Sequence, residues 1–214
     1  MPLLPLGLNA PVLQAISRAK PAPGKPVMFI QTEDTPNPDT LKFLPGQSVS
    51  LDAPRDFATP EEAESSYLAR ELFRVEGVIR VFAGQDFISV TKAEGVDWPH
   101  IKPAVLGAIM DCLESGKSLF SDADDDGHAA YEGEAAGIVK EIKDVIDTRV
   151  RPAVARDGGD IVFHSYDEAT GVVNLHMRGA CAGCPSSTMT LKQGIENLLK
   201  HYVPEVQGVE SVAD

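Results

Sequence analysis

Residues 157–202 read DGGDIVFHSYDEATGVVNLHMRGACAGCPSSTMTLKQGIENLLKHY, and this stretch decides the fold of the C-terminal half. Ile161–Tyr166 and Val172–Met177 are short apolar runs parted by the turn-forming Asp167–Gly171, the pattern of a β-hairpin. From Ser186 to about Tyr202, the residues Leu191, Ile195, Leu198, Leu199 and Tyr202 recur at helical spacing and predict a helix with that stripe buried. Between hairpin and helix stands Gly179-Ala-Cys181-Ala-Gly-Cys184-Pro-Ser-Ser187. A two-residue gap lets both sulfurs turn toward one point, and Gly179 and Gly183 permit the backbone angles this needs. Pro185 suits the first helical position, which puts Cys184 at or beside the helix cap. The positive end of the helix dipole favours thiolate there, the form that binds metal.

Outward from this motif, Glu134–Val150 predicts a helix with Ile138, Ile142, Val145 and Ile146 on one face. Pro152 and then Asp157-Gly158-Gly159-Asp160 are expected to end helical structure and turn the chain. Val206–Val212 adds a final short strand. Residues 121–134, SDADDDGHAAYEGE, hold six acids, no Lys or Arg and almost nothing to bury. Such a stretch cannot offset its ordering entropy and reads as a flexible linker.

Ahead of the linker, Val27–Thr32 and Leu41–Leu44 read as strands separated by the turn-forming Asp34–Asp39. Thr59-Pro-Glu-Glu62 predicts a helix start with a capping box, followed by the stripe Ala63, Tyr67, Leu68 and Leu72. Val78–Phe82 and Phe87–Thr91 predict a second hairpin. A helix over about Trp98–Glu114 buries Val105, Ile109, Cys112 and Leu113. The fold class is therefore α+β, two small domains joined by an acidic flexible linker. The boundaries are a disordered leader over 1–26, an N-terminal domain over 27–118, a linker over 119–133 and a C-terminal domain over 134–214.

Composition narrows the function. Hydrophobic residues are 43% of the chain and charged residues 24%, as in ordinary soluble domains, and no apolar run approaches a membrane span of about 18 residues. A net charge of -13 argues against nucleic acid as a partner, because binding phosphates takes clustered Lys and Arg. Three cysteines in 214 residues form no disulfide framework and point to a reducing compartment. The first 27 residues lack Asp and Glu but carry Arg18, Lys20 and Lys25. They read as a bacterial leader, hence a cytoplasmic protein, with a transit peptide to the mitochondrial matrix as the alternative.

Cys181 and Cys184 are half a metal site. Structural zinc and cubane iron–sulfur clusters usually take four protein ligands, and no second pair is identifiable in this sequence. Two chains giving one CxxC each would complete the set at a twofold interface. A cluster on exposed loops suits transfer better than storage. A thioredoxin-like dithiol is the rival for the same sulfurs, although a hairpin stands where a βαβ unit is expected before the motif. Zinc held by four thiolates is the third reading.

In DGGD at 157–160 and CAGCPSS at 181–187, the second segment resembles the C-terminal domain of NifU and of Nfu-type iron–sulfur scaffolds. In MFIQTEDTPNPDTLKFLPG at 28–46 and GVIRVFAGQDFISVTK at 77–92, the first resembles the Nfu N-terminal domain. The resemblance covers about residues 27–213. It implies a non-enzymatic carrier whose Cys181 and Cys184 bind a [4Fe–4S] cluster bridging a homodimer. It also implies recipient apoproteins and assembly-machinery proteins as partners. The three-cysteine assembly domain and the cysteine-rich central domain of full NifU are lacking, so direct assembly is not implied.

Elsewhere the blander readings are preferred. Cys112 reads as a buried structural thiol. His164 and His176 read as partly exposed hairpin residues rather than ligands, and Asp157 and Asp160 as turn formers. Asp122–Asp126 lacks the ligand spacing of a calcium loop. No nucleophile–base pair or phosphate-binding glycine loop is found, so no residue is assigned a catalytic role.

Overall fold

The structure, a computed structural model, describes residues 29–50, 53–115, 119–120, 131, 133–183 and 185–212. The leader call over 1–26, the acidic run Asp122–Asp126 and Cys184 lie outside the described residues.

The N-terminal unit is a five-stranded antiparallel sheet in the order β1-β2-β5-β4-β3, with two helices packed against it. Its first strand, β1 (Gln31–Asp34), lies further along the chain than the expected Val27–Thr32 and pairs with β2 (Thr40–Leu44). Thr35 and Asn37 make the turn between them. The Thr35 hydroxyl donates to the Asn37 and Thr40 carbonyls (2.8 and 2.9 Å), and the Asn37 carboxamide oxygen accepts from the Asp39 N–H (3.0 Å). The edge strand β3 (Arg55–Phe57) has no signal in three residues of sequence and is held by pairing with β4 (Val78–Ala83). β4 and β5 (Ile88–Lys92) form the expected hairpin.

The helix expected from Thr59 is divided. The Thr59 hydroxyl does accept from the Glu62 N–H, but the Glu62 carboxylate reaches the Ala58 N–H, one residue early for a capping box. The result is one 3₁₀ turn, Glu62–Ser65. Ser66 then leaves helical geometry to bridge Phe120, and caps a new helix, α1 (Tyr67–Phe73), by accepting from the Ala69 N–H. A tertiary contact has overridden local periodicity. α2 (Trp98–Glu114) spans the expected residues and buries Val105, Ile109 and Cys112 against the sheet.

The C-terminal unit carries a three-stranded sheet, β6-β7-β8, under helices. Here a second expectation is corrected: Pro152 does not end the helix. After α3 (Gly133–Val145) the backbone widens to a π turn over Ile146–Val150 and continues as α4 (Arg151–Arg156). Pro152 falls in the first turn of α4, where its missing N–H costs little. β6 (Gly159–Asp167) and β7 (Val172–Gly179) form the expected hairpin, with a register shift between Phe163 and Ser165. α5 (Pro185–Tyr202) then returns the chain to β8 (Gly208–Val212), which pairs parallel to β7. Ile195 and Leu199 are buried on α5 as expected, but Tyr202 is not. It lies 40% exposed, its ring 4.4 Å from the Arg149 guanidinium.

The two sheets are separate, and their two apolar cores share no residue. The described ends of the intervening segment each pack on their own side. Phe120 stacks on Phe57 at 6.3 Å between centroids, and the Tyr131 hydroxyl accepts from the Tyr166 N–H. Among the described residues no helix is long and apolar enough to cross a membrane.

Candidate functional site

Cys181 lies in the turn that joins β7 to α5. Gly179 and Gly183, on either side, both have left-handed backbone (φ 60° and 80°), as their spacing around the cysteine required. The turn is tied by three backbone hydrogen bonds: the Ala180 N–H to the Gly158 carbonyl, Cys181 to Arg178, and Ala182 to Gly179 (3.1, 3.3 and 3.1 Å). Pro185 opens α5 as expected. The helix therefore begins four residues beyond Cys181, and Cys181 is not itself at the helix cap.

The sulfur of Cys181 packs on Gly159. A Cβ on residue 159 would overlap the sulfur and approach the Arg178 carbonyl at 2.8 Å, so the second glycine of DGGD makes room for the thiol. Cys181 is 5% exposed, beside a cleft of about 440 Å³ bordered by Pro36, Asp157 and Thr190. Burial, helped by the charges of Asp160 and Asp157, pushes its pKa up to about 12. The described environment holds the neutral thiol at Cys181, whereas the thiolate is expected at the helix cap beside Cys184. Cys184, the other half of the motif, is outside the described residues.

Asp160 has more than a turn to make. It is buried, and both its oxygens accept from the Arg151 guanidinium, Nε at 2.8 Å and Nη2 at 2.9 Å. Arg151 also donates to Asp147 (3.1 Å), and these carboxylates hold the guanidinium charged. The fork fixes the start of α4 to the start of β6, directly under the cysteine turn. The spacing of nine residues between Arg151 and Asp160 carries no helical or strand signal, which hid the pair in the sequence.

The other candidates fall away from the motif. Cys112 is 1% exposed among Val105 and Ile109, a structural thiol as read. His164 and His176 meet each other, Nδ1 to Nε2 at 3.0 Å, on the hairpin. Among the described residues no three His, Cys, Asp or Glu side chains converge as a metal site.

Sequence reasoning missed the partners that the N-terminal unit brings to this turn. Lys42 Nζ donates to the carbonyls of Ala155 (3.1 Å) and Arg156 (2.9 Å), the Ser89 hydroxyl donates to Gly158 (2.6 Å), and the Asn37 amide donates to Ala182 (3.3 Å). One signal existed: Lys42 is a charge in the middle of TLKFL, where four of five residues are buried.

Comparison with known proteins decides the family. Residues 30–116 match the family model described as Scaffold protein Nfu/NifU N terminal, and residues 142–210 match NifU-like domain. A human protein named NFU1 iron-sulfur cluster scaffold homolog, mitochondrial, is 50% identical over 188 residues, spanning 87% of this chain and 73% of that protein. The chain belongs to the Nfu/NifU scaffold family. A Drosophila erecta protein of the same name is 49% identical, over 91% of this chain and 68% of its own. NifU-like protein 5, mitochondrial, of Arabidopsis thaliana is 47% identical, over 87% and 69%. The boundary between the two family segments coincides with the boundary between the two sheets. These relatives are named as mitochondrial proteins, so they do not support the bacterial cytoplasm expected from the leader.

Proposed function

We propose that this chain is a scaffold and carrier that receives an iron–sulfur cluster as cargo and delivers it to recipient apoproteins. The carrying observation is the setting of Cys181. The thiol sits between two left-handed glycines, over a third glycine that leaves room for sulfur, in the segment matching the NifU-like family. Relatives that share half its residues are named iron–sulfur cluster scaffolds. The cargo is a [4Fe–4S] cluster held by Cys181 and Cys184 of two copies, since a cubane takes four thiolates and one chain offers two. Assembly-machinery proteins load it, and no covalent reaction of substrate is involved.

The chemistry of the turn suits cargo. Asp157 and Asp160 oppose a lone thiolate at Cys181, but a bound iron supplies the positive charge that drives the sulfur to deprotonate. Such a site holds neutral thiols when empty and thiolates when loaded, so loading releases protons. The mitochondrial names of the relatives agree with the alternative reading of the basic, acid-free leader. A mitochondrial matrix and a bacterial cytoplasm both keep the thiols reduced.

One observation favours the dithiol oxidoreductase: β7, the motif, α5 and the parallel β8 form a βαβ crossover with the CxxC at the helix start. Against it, attack on a disulfide needs thiolate near neutral pH, and Cys181 is held protonated. Anaerobic incubation with iron and sulfide separates the readings. The carrier takes up about two iron atoms per chain with a broad visible charge-transfer absorption. Colourless protein with about one zinc per dimer would indicate the adaptor instead. Protein that takes no metal but cycles a disulfide would overturn the carrier.

A further inference from the structure

The contacts that cross between the two units converge on the cysteine turn. Lys42 places its ammonium on the last carbonyls of α4, where the helix dipole favours a cation. The same ammonium lies 4.7 Å from the Phe87 ring centroid and 3.7 Å from Glu33. Its side chain is 9% exposed, so a costly charge has been buried at this boundary and compensated there. Ser89 donates to the Gly158 carbonyl, which also accepts from the Ala180 N–H of the turn. Asn37 reaches the carbonyl of Ala182, the residue after Cys181, and Pro36 borders the cleft beside the thiol. Phe82 is 1% exposed yet belongs to neither apolar core; its ring lies against Gly179, where a Cβ would come within 2.9 Å.

These contacts have one consequence for a shared cargo. Two C-terminal units can bridge a cluster only if their cysteine turns face each other. In this structure Pro36 borders the cleft beside Cys181 and Asn37 is bonded to the Ala182 carbonyl, so the N-terminal unit stands beside the turn. A second cysteine turn approaching from that side meets the N-terminal unit of the first. The boundary joins separate sheets and separate cores, and its hydrogen bonds run from side chains to backbone groups, the Gly179 N–H to the Asp56 carboxylate among them, that water can satisfy when the units part.

We propose that the N-terminal unit is a cap for the cysteine turn of its own chain, seated through Asn37, Lys42, Phe82 and Ser89, and that it must leave before two copies share cargo. The site thus has two states, capped and open. Any protein that prefers the released face of the N-terminal sheet, or the freed turn, shifts the balance toward loading. This inference rests on the carrier reading for its purpose but not for its geometry.

The test uses the full-length, metal-free, reduced protein carrying Cys184→Ser, so that Cys181 is the one motif thiol. Its rate of alkylation by iodoacetamide is followed by peptide mass spectrometry, with Cys112 as the internal check on folding. Lys42→Glu, which sets a carboxylate against the α4 carbonyls, should accelerate Cys181 alkylation roughly tenfold or more while Cys112 stays protected. Should Lys42→Glu also expose Cys112, the milder Asn37→Ala/Ser89→Ala pair replaces it, with an expected acceleration of a few-fold, about 3–10. Unchanged alkylation in a folded variant of both kinds would overturn the cap, because Cys181 would then be hidden by its own unit alone. Iron and sulfide uptake by the protein with Cys184 restored keeps the two ideas apart. Faster alkylation with no iron uptake by any form upholds the cap and sinks the carrier. Iron uptake with unchanged alkylation does the opposite.

Discussion

Cys112 and Cys181 are hidden to nearly the same degree, 1% and 5% exposed, but by different means. Around Cys112 the N-terminal unit supplies the packing from its own helix and sheet, with Val105 and Ile109 in the same core. Around Cys181 the C-terminal unit supplies a glycine hollow, two carboxylates and a turn of left-handed backbone, and Asn37 and Ser89 of the other unit donate to the Ala182 and Gly158 carbonyls beside it. Exposure alone would class both as inert. What separates them is that Cys112 is packed within its own unit, whereas Cys181 lies in a turn that side chains of both units contact.

The largest expected effect breaks the pair apart directly. Cys181→Ser should reduce iron uptake from about two atoms per chain to almost none and abolish cluster-linked dimers. Cys112→Ala should leave uptake intact and cost only about 1 kcal/mol of stability in chemical unfolding. Loss of iron in Cys112→Ala would show that the N-terminal thiol is not merely structural.

Next in size is the support beneath the turn. Arg151→Ala leaves the buried Asp160 carboxylate without its fork and should cost about 3 kcal/mol, since Arg151 itself is partly open to water. The expected readout is a lower denaturation midpoint together with weaker iron uptake. Lost stability with uptake unchanged would confine the ion pair to the fold.

How far this was legible in the sequence depends on the range of the interaction. α2, both hairpins and the extent of α5 follow from periodicity because packing there obeys local pattern. The helix after Thr59 breaks because Ser66 answers to Phe120, fifty-four positions on. The helix before the motif persists through Pro152 because a π turn absorbs it, a device with no signature in hydrophobic spacing. Cys181 and its flanking glycines were legible from the motif, whereas its protonation was not. Desolvation and the nearby carboxylates are properties of the folded neighbourhood, and they outweigh a helix dipole four residues away.

That protonation gives a smaller, pH-dependent test. The folded chain raises the Cys181 pKa from near 9 to about 12, so the native state binds this proton more tightly than the unfolded chain. The resulting stability is fully present below about pH 9 and is lost as pH rises toward 12. Subtracting the alkaline melting profile of Cys181→Ala from that of the unaltered protein should isolate a decline confined to that window. A flat difference would mean that the thiol is not held neutral, and the contrast with the dithiol oxidoreductase would weaken.

The smallest effect asks whether the two units are independent bodies. Ser66 caps α1 through the Ala69 N–H (3.1 Å) and donates to the Leu119 carbonyl (2.9 Å), all within the N-terminal unit. Ser66→Ala should cost about 1 kcal/mol, seen as a fall of a few degrees in the melting of that unit. Because Ser66 lies on none of the contacts to the cysteine turn, Cys181 alkylation in the Cys184→Ser protein should not change. If it rises with the loss of stability, the two units melt as one cooperative body, and the hidden state of Cys181 reflects global stability rather than a separable cap. If it stays constant, the difference between the two buried cysteines is a difference between two units, one closed within itself and the other covered by its neighbour.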